Sequence, residues 1–494
     1  MPENSSPKRP KFAWEPPFIQ PHRVGEINKF GRHRPREARV ASVFGVDVEL
    51  LKKNYGSPLF VTSEERLRAN VRRIKKAFAV RWGNTCHGWS YKTNYVSAVC
   101  NILHQEGSLA EVVSAFEYEK ARALGVPGEM IIFNGPNKSR AILERAVAEG
   151  AQIHLDHLDE LNLVEAVAAA QGRKARVALR LNFDTGYSEP WSRFGFNLES
   201  GQARQAAKLA AASPHLQLCG LHSHLGTFIL EPRAYGEQVK IMCKFMREIE
   251  SSEDVQIDVI DIGGGLPSMN ALQSIYLPPE QVVPSINEYA EVICGTLIEE
   301  TRYRSHTNRG LPKLVFESGR AVVDDAQVLI TSVVGTKRLP DGRAAAVLDA
   351  GTNLLFTAYW YNHKVETTGE ARGALADTVL FGPLCMNIDV VRHSVQLPPL
   401  RAGDSLVVSP VGAYNNSQWM QFIEYRPNVV LVHEDGDVSV IRAAEDLSVM
   451  MAQDRLPEHL ATPFAPVRSA GCNRFDDAAE TQAKTLRPFR ICRG

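Results

Sequence analysis

Between residues 57 and 319 the chain keeps one rhythm: a short run of β-forming residues, an amphipathic helical stretch, then another run. The runs are SPLFVTS (57–63), WSYKTNY (89–95), LAEVVS (109–114), MIIFNG (130–135), AQIHLDH (151–157), VALRLNF (177–183), LCGLHSHLG (218–226), VIDIGGG (259–265) and KLVFESG (313–319). Helical patterns such as SEERLRANVRRIKKAF and AFEYEKARALG stand between them. A strand followed by a helix returns to its sheet as a parallel neighbour, so the alternation predicts parallel strands with crossover helices. Polar residues end most of the runs, which suits a barrel that gathers its chemistry at the C-terminal strand ends. The expected fold is therefore α/β, a (β/α)8 TIM barrel over 57–325. Nine runs are one too many for it, so one is a lead-in or belongs elsewhere.

After about residue 325 the rhythm changes. AQVLITSVVGTK, RAAAVLDAGT, DTVLFGPLC, DSLVVSPVGAY and NVVLVHEDGDVSVIR are short strands and turns with almost no helix, which predicts a C-terminal β-sandwich or β-barrel domain over 326–452. Residues 1–56 read as a Pro- and Arg-rich arm and lead-in with the option of adding to the β domain, and 453–494 as a polar tail.

Composition narrows the function classes. Lys plus Arg and Asp plus Glu both number 56, so no net field draws nucleic acid. No apolar run approaches the roughly 18 residues of a membrane span, and the basic N-terminus lacks the apolar core of a secretory signal, so a cytoplasmic protein is expected. The eight cysteines form no CxxC pair and no metal-ligand spacing, and reduced structural thiols are expected.

One lysine breaks the apolar pattern. Lys92, between aromatics in a run that reads as a buried strand, must find a carboxylate, lose its proton or be consumed covalently. Elsewhere, DIGGG (261–265) lets backbone N–H groups close on a phosphate, or simply makes a tight turn. In ESGR (317–320), Arg320 suits a phosphate and Glu317 a pyridinium nitrogen, with a strand-end salt bridge as the plain alternative. HSHLG (222–226) sets two histidines on one strand face; no nearby carboxylate or cysteine completes a metal site, so a ring packed on a flat cofactor is the better use, beside the alternative of a satisfied core histidine. Together these residues describe a pyridoxal 5'-phosphate site with Lys92 as the covalent anchor.

The order SYKTN, AEVVS, NGPNKS, LRLNFD, RFGF, GLHSHLG, DIGGG, ESGR, DAGTN, GPLC, GDSL and GAY, spread from about residue 57 to about 435, resembles the fold-type III pyridoxal phosphate decarboxylases. Within that alanine-racemase-like fold the resemblance is closest to diaminopimelate decarboxylases, with ornithine decarboxylases more distant. It implies that Lys92 binds the cofactor covalently, His224 stacks on the ring, and Glu317 pairs with the ring nitrogen. Gly263, Gly264, Gly265 and Arg320 are implied around the phosphate, Thr227, Gly319 and Tyr414 as further cofactor contacts, Arg180 near the phenolic oxygen and Glu111 near Lys92. It also implies a head-to-tail homodimer, with Cys385 reaching the partner's pocket to reprotonate Cα after CO2 leaves. Thr357, Tyr361, Met386 and Asp389 fall in the implied substrate region, and no metal is expected.

Two departures stand out. The family carries an acid directly after the cysteine, where this chain has Met386, and an Arg-Pro pair where it has Thr357 and Ala358. Phe228 also replaces a common glutamine, and serine replaces proline in ESGR. Losing buried charged contacts worth about 2–5 kcal/mol each predicts a substrate other than free diaminopimelate, such as a modified, conjugated or carrier-bound amino acid of siderophore or antibiotic type. meso-Diaminopimelate is the alternative if Asn387 or Asp389 takes over those contacts. An amino-acid racemase and a non-catalytic regulatory homologue are weaker rivals, since GPLC, Lys92 and the phosphate glycines are all present.

Overall fold

Parallel strands cannot be joined by tight turns, and the crossovers the sequence announces are found as helices in the computed structural model, which describes residues 40–462 except 276, 307–309 and 371. Eight parallel strands close a barrel: β1 (Thr85–Ser90), β2 (Leu109–Val112), β3 (Ile131–Phe133), β4 (Gln152–Leu155), β5 (Ala175–Asn182), β6 (Leu216–Ser223), β7 (Val259–Asp261) and β8 (Lys313–Phe316). Closure is made by β8 on β1, with Leu314 opposite Thr85 and Phe316 opposite His87.

The helices pack apolar stripes on the outside of this ring. Glu64–Ala79 buries Leu67, Val71, Ile74 and Phe78, a three-to-four spacing, and Ser63 caps its start by accepting from the Arg66 N–H. Ile286–Thr301 begins in a reciprocal Ser285–Glu288 capping box.

The ninth run belongs to the β domain. Leu59–Ser63 pairs antiparallel with Gln327–Arg338 and parallel with Val429–Val432, so 57–63 is not a barrel strand. All five of its residues are buried, and a continuous apolar run reads the same in a barrel wall as in a central strand of another sheet. Gln327–Arg338 is the spine of that sheet and also pairs with Ala344–Leu348 and Ser405–Ser409. The lead-in joins the same domain: Val43, Val48 and Leu51, around the helix Val48–Tyr55, pack with Leu59, Val61, Ile330 and Val407. The arm before residue 40 and the tail after 462 lie outside the described residues. Glu445 onward forms a separate unit, in which Leu447–Met451 is a short helix capped by Asp446. No helix among the described residues is long and apolar enough to cross a membrane.

Candidate active site

The C-terminal strand ends of the barrel and loops of the β domain surround a cavity of about 670 Å3. Lys92 stands in its wall. The strand expected over 89–95 stops at Ser90, and Lys92 lies in the following 3-10 turn, Tyr91–Thr93. The β domain holds that turn: the Tyr414 N–H donates to the Thr93 carbonyl at 2.8 Å, and the Ser417 hydroxyl to the Lys92 carbonyl at 2.7 Å.

The carboxylate that Lys92 needs is Glu111, from β2, whose oxygens lie 2.8 and 3.1 Å from Nζ. Burial works against the ammonium, but Glu111, Glu317 and Tyr414 outweigh it and raise the Lys92 pKa. Glu111 is fully buried and also accepts from Ser90 and, at 3.0 Å, from the Asn134 amide.

Glu317 follows β8. One oxygen accepts from Asn134 Nδ2 at 2.7 Å, and the other lies 3.6 Å from His222 Nε2. Asp261, at the end of β7, is held well above the usual carboxylate range by burial and then by the charge of Glu317. His224 accepts from the Gly264 N–H at Nδ1, 3.0 Å away, which assigns its proton to Nε2. Burial, with Lys92 and Arg180 beside it, pushes the His224 pKa well down, so the ring is neutral.

The glycines are steric requirements. A Cβ on Gly264 would sit 2.5 Å from the Glu317 carbonyl oxygen, and one on Gly265 2.5 Å from that of Gly226, where φ is also +93°. At Gly319 it would meet the Thr93 hydroxyl at 2.1 Å. Arg320 lines the cavity beside Gly264 and Gly265 and donates to Thr227 and Tyr361. Tyr414, its ring 4.9 Å from the Arg320 guanidinium, adopts φ +65°, a strained backbone for a non-glycine residue. Arg180, at the cavity wall, is 3.5 Å from Asp156 and packs on the Phe194 ring.

Three of the four residues expected in the substrate region lie outside this cavity, whereas Tyr361 lines it. Thr357 is buried behind the wall with its hydroxyl bonded to Asn415 at 2.8 Å and His363 at 2.9 Å; being small and polar, it satisfies itself inside the β domain. Asp389 is buried too, and accepts from the backbone N–H groups of Thr352 at 2.7 Å and Leu384 at 2.8 Å, so it is spent on holding its own turn. Met386 is half-buried on that turn, and neither it nor the exposed Cys385 lines the cavity of its own chain.

Other lining residues were not foreseen. Asn134, within the NGPNKS motif, donates to both Glu111 and Glu317, and an asparagine before glycine in a strand-end motif was the available signal. Arg193 opens the RFGF motif, to which no role was given, and Trp191, Leu272 and Gln418 come from loops outside the quoted motifs. Leu272 stands beside Ala271 and Gln273, which tie this loop to the Thr357–Asn362 stretch through Gln273 N–H to the Trp360 carbonyl and Asn362 N–H to the Ala271 carbonyl, both 2.7 Å.

A lysine with a carboxylate beside it, a buried acid facing the cavity and a glycine cradle beside an arginine fit pyridoxal phosphate. The comparisons agree with this chemistry. The family model for the pyridoxal-binding domain of pyridoxal-dependent decarboxylases matches residues 64–324, and the chain belongs to that family. Among its relatives are the diaminopimelate decarboxylases of Methanocaldococcus jannaschii, 29% identical over 440 residues with 84% of this chain and 95% of that protein covered, and of Bacillus subtilis, 28% identical over 426 residues with 83% and 94% covered. The crystal structure of the M. jannaschii enzyme superposes with a TM-score of 0.77 at 27% identity, covering 85% of this chain and 96% of that one. The protein is thus a pyridoxal-phosphate-dependent carboxy-lyase of an amino acid.

Proposed function

We propose that this enzyme decarboxylates, at Cα, an amino acid whose distal end carries a carboxylate, with meso-diaminopimelate the first candidate. The observation that carries this is the charge of the rim. Arg193 lines the cavity with no ion-pair partner among the described residues, and the only acids in the lining, Glu111 and Glu317, are buried at the bottom. A distal ammonium alone finds no counter-charge within this chain, whereas a distal carboxylate does. The diaminopimelate decarboxylase names of the relatives support the same substrate, and Arg193 offsets the absence of an arginine at position 357. A neutral or conjugated substrate remains a second reading, favoured by Met386 and by the aromatic surface of Trp191, Trp360 and Phe228.

Pyridoxal phosphate, when bound, withdraws the electrons left by the departing CO2. The chain's residues do the rest. Lys92 holds the cofactor covalently, and Glu111 keeps its amine in place when it is displaced. Glu317 keeps the ring nitrogen protonated, neutral His224 packs on one ring face, and the Gly263–Gly265 cradle with Arg320 receives the phosphate. Cys385 and Met386 stand on an exposed turn away from their own cavity, and we assign them to the pocket of a second copy in a cytoplasmic homodimer, where the Cys385 thiol delivers a proton to Cα.

The test is CO2 release from meso-diaminopimelate, lysine, ornithine and acylated derivatives, with Arg193→Ala in parallel. Turnover of meso-diaminopimelate with a raised KM in Arg193→Ala is expected. Turnover of neutral or conjugated amino acids alone would overturn the assignment.

A further inference from the structure

We propose that Gln152, His154 and His222 form a buried chain of hydrogen-bond donors that ends on Glu317 and fixes the second oxygen of that carboxylate beneath the cofactor. The proposal rests on the reading of Glu317 as the partner of the pyridine nitrogen and adds the residues that position it.

The three residues come from β4 and β6 and point into the barrel interior, where Gln152 is 8% exposed and both histidines 1%. Gln152 Nε2 lies 2.9 Å from His154 Nε2, and an amide N–H can only donate, so that ring nitrogen is the acceptor and the proton of a neutral His154 sits on Nδ1. His154 Nδ1 has no partner at hydrogen-bond distance, and neither nitrogen of His222 has one. The two rings stand 4.8 Å apart, and His222 Nε2 is 3.6 Å from Glu317. Unsatisfied polar atoms in a closed interior are costly, and these share a single economical solution. When the two rings close their gap, His154 Nδ1–H donates to His222 Nδ1, which leaves the His222 proton on Nε2, aimed at Glu317.

The direction of the chain matters. Turning the Gln152 amide over would reverse every tautomer and set a His222 lone pair against the carboxylate. Burial is the first cause keeping both histidines neutral, so they donate to Glu317 without cancelling the charge it presents to the ring nitrogen. Asn134 holds the first oxygen of Glu317, and His222 Nε2 stands 3.6 Å from the second, a short movement from donating to it. A metal ion is the poorer use of the same residues. Their candidate ligand atoms are spread over as much as 4.8 Å, whereas bonds of about 2.1 Å to zinc allow no more than about 4.2 Å between two ligands.

The experiment is nitrogen-15 NMR on the holoenzyme, with label in the histidines and, separately, in the pyridine ring of the cofactor. In the unaltered protein His222 is expected to be neutral with its proton on Nε2. His222→Leu should keep stoichiometric cofactor, move the ring-nitrogen resonance toward the unprotonated form and lower kcat about ten- to hundred-fold with little change in KM. His222→Gln, whose amide can donate from a similar place, should recover most of both signals. A proton found on His222 Nδ1, or an unmoved ring-nitrogen resonance in His222→Leu when Glu317→Gln does move it, would overturn the chain while leaving the role of Glu317 intact. An unmoved resonance in Glu317→Gln itself would remove that role and the proposal together.

Discussion

The bottom and the rim of the cavity are built on opposite principles. At the bottom, Lys92, Glu111, Asn134, His222, Asp261 and Glu317 stand on or just after barrel strands; Lys92, Glu111, Asn134 and Glu317 are joined by short hydrogen bonds, and His222 stands 3.6 Å from Glu317. At the rim, Trp191, Arg193, Leu272, Trp360 and Gln418 come from loops, and Trp191 and Trp360 are 40% and 44% exposed. Strand ends repeat the same geometry wherever the barrel fold recurs, so a reaction common to many substrates is placed there; loops vary without disturbing the barrel, so substrate choice is placed on them. Catalysis is thus expected to fail when the bottom is changed, and affinity when the rim is.

The sharpest break of that contrast is Lys92→Ala. It should abolish turnover and the yellow absorbance of the bound cofactor, and turnover retained above background would refute the assignment of the anchor.

The next concerns what the bottom costs the fold. Glu117, buried behind Glu111, donates nothing to the cavity but accepts from the Val113 N–H at 2.8 Å. Burial and then the charge of Glu111 raise its pKa from 4.5 to about 7. A folded-state pKa above the unfolded value means that this stabilisation is full below about pH 4.5 and is lost as pH rises to about 7. Glu117→Gln should therefore be more stable than the parent above pH 7, by up to about 3 kcal/mol, with the gap closing toward pH 4. Urea titrations across that range measure it, and a pH-independent difference would contradict the coupling.

The smallest effect belongs to the rim. Trp360→Ala should raise KM about tenfold and leave kcat within about threefold, because an exposed ring that only grips the substrate contributes equally before and during the reaction. A kcat loss as large as the KM change would place Trp360 with the bottom and blur the contrast.

The legibility of the sequence follows the same division. Lys92, Glu317, His224 and the glycines announce themselves because each breaks a local pattern: a charge in an apolar run, three glycines at a strand end, two histidines in a β run. Glu111 and Arg180 were reachable through motif order. Thr357 and Asp389 were misplaced because alignment of a motif fixes a backbone position and not the direction of a side chain; both found partners inside the β domain. The same ambiguity sent Leu59–Ser63 to the barrel, since burial on both faces erases the alternation that distinguishes one sheet from another.

By itself, then, the sequence determined the barrel, the added β domain and the cofactor, all of which depend on local periodicity or on residues whose chemistry has few other uses. Only the tertiary structure decided which nine strands share the second sheet, that Glu317, just after β8, comes close to His154 and His222, and which loop residues form the rim. The deciding contacts, such as Leu59 with Ile330, Phe60 with Val429 and His154 with His222, join residues far apart in the chain, and no local preference encodes a proximity that only the closed fold creates.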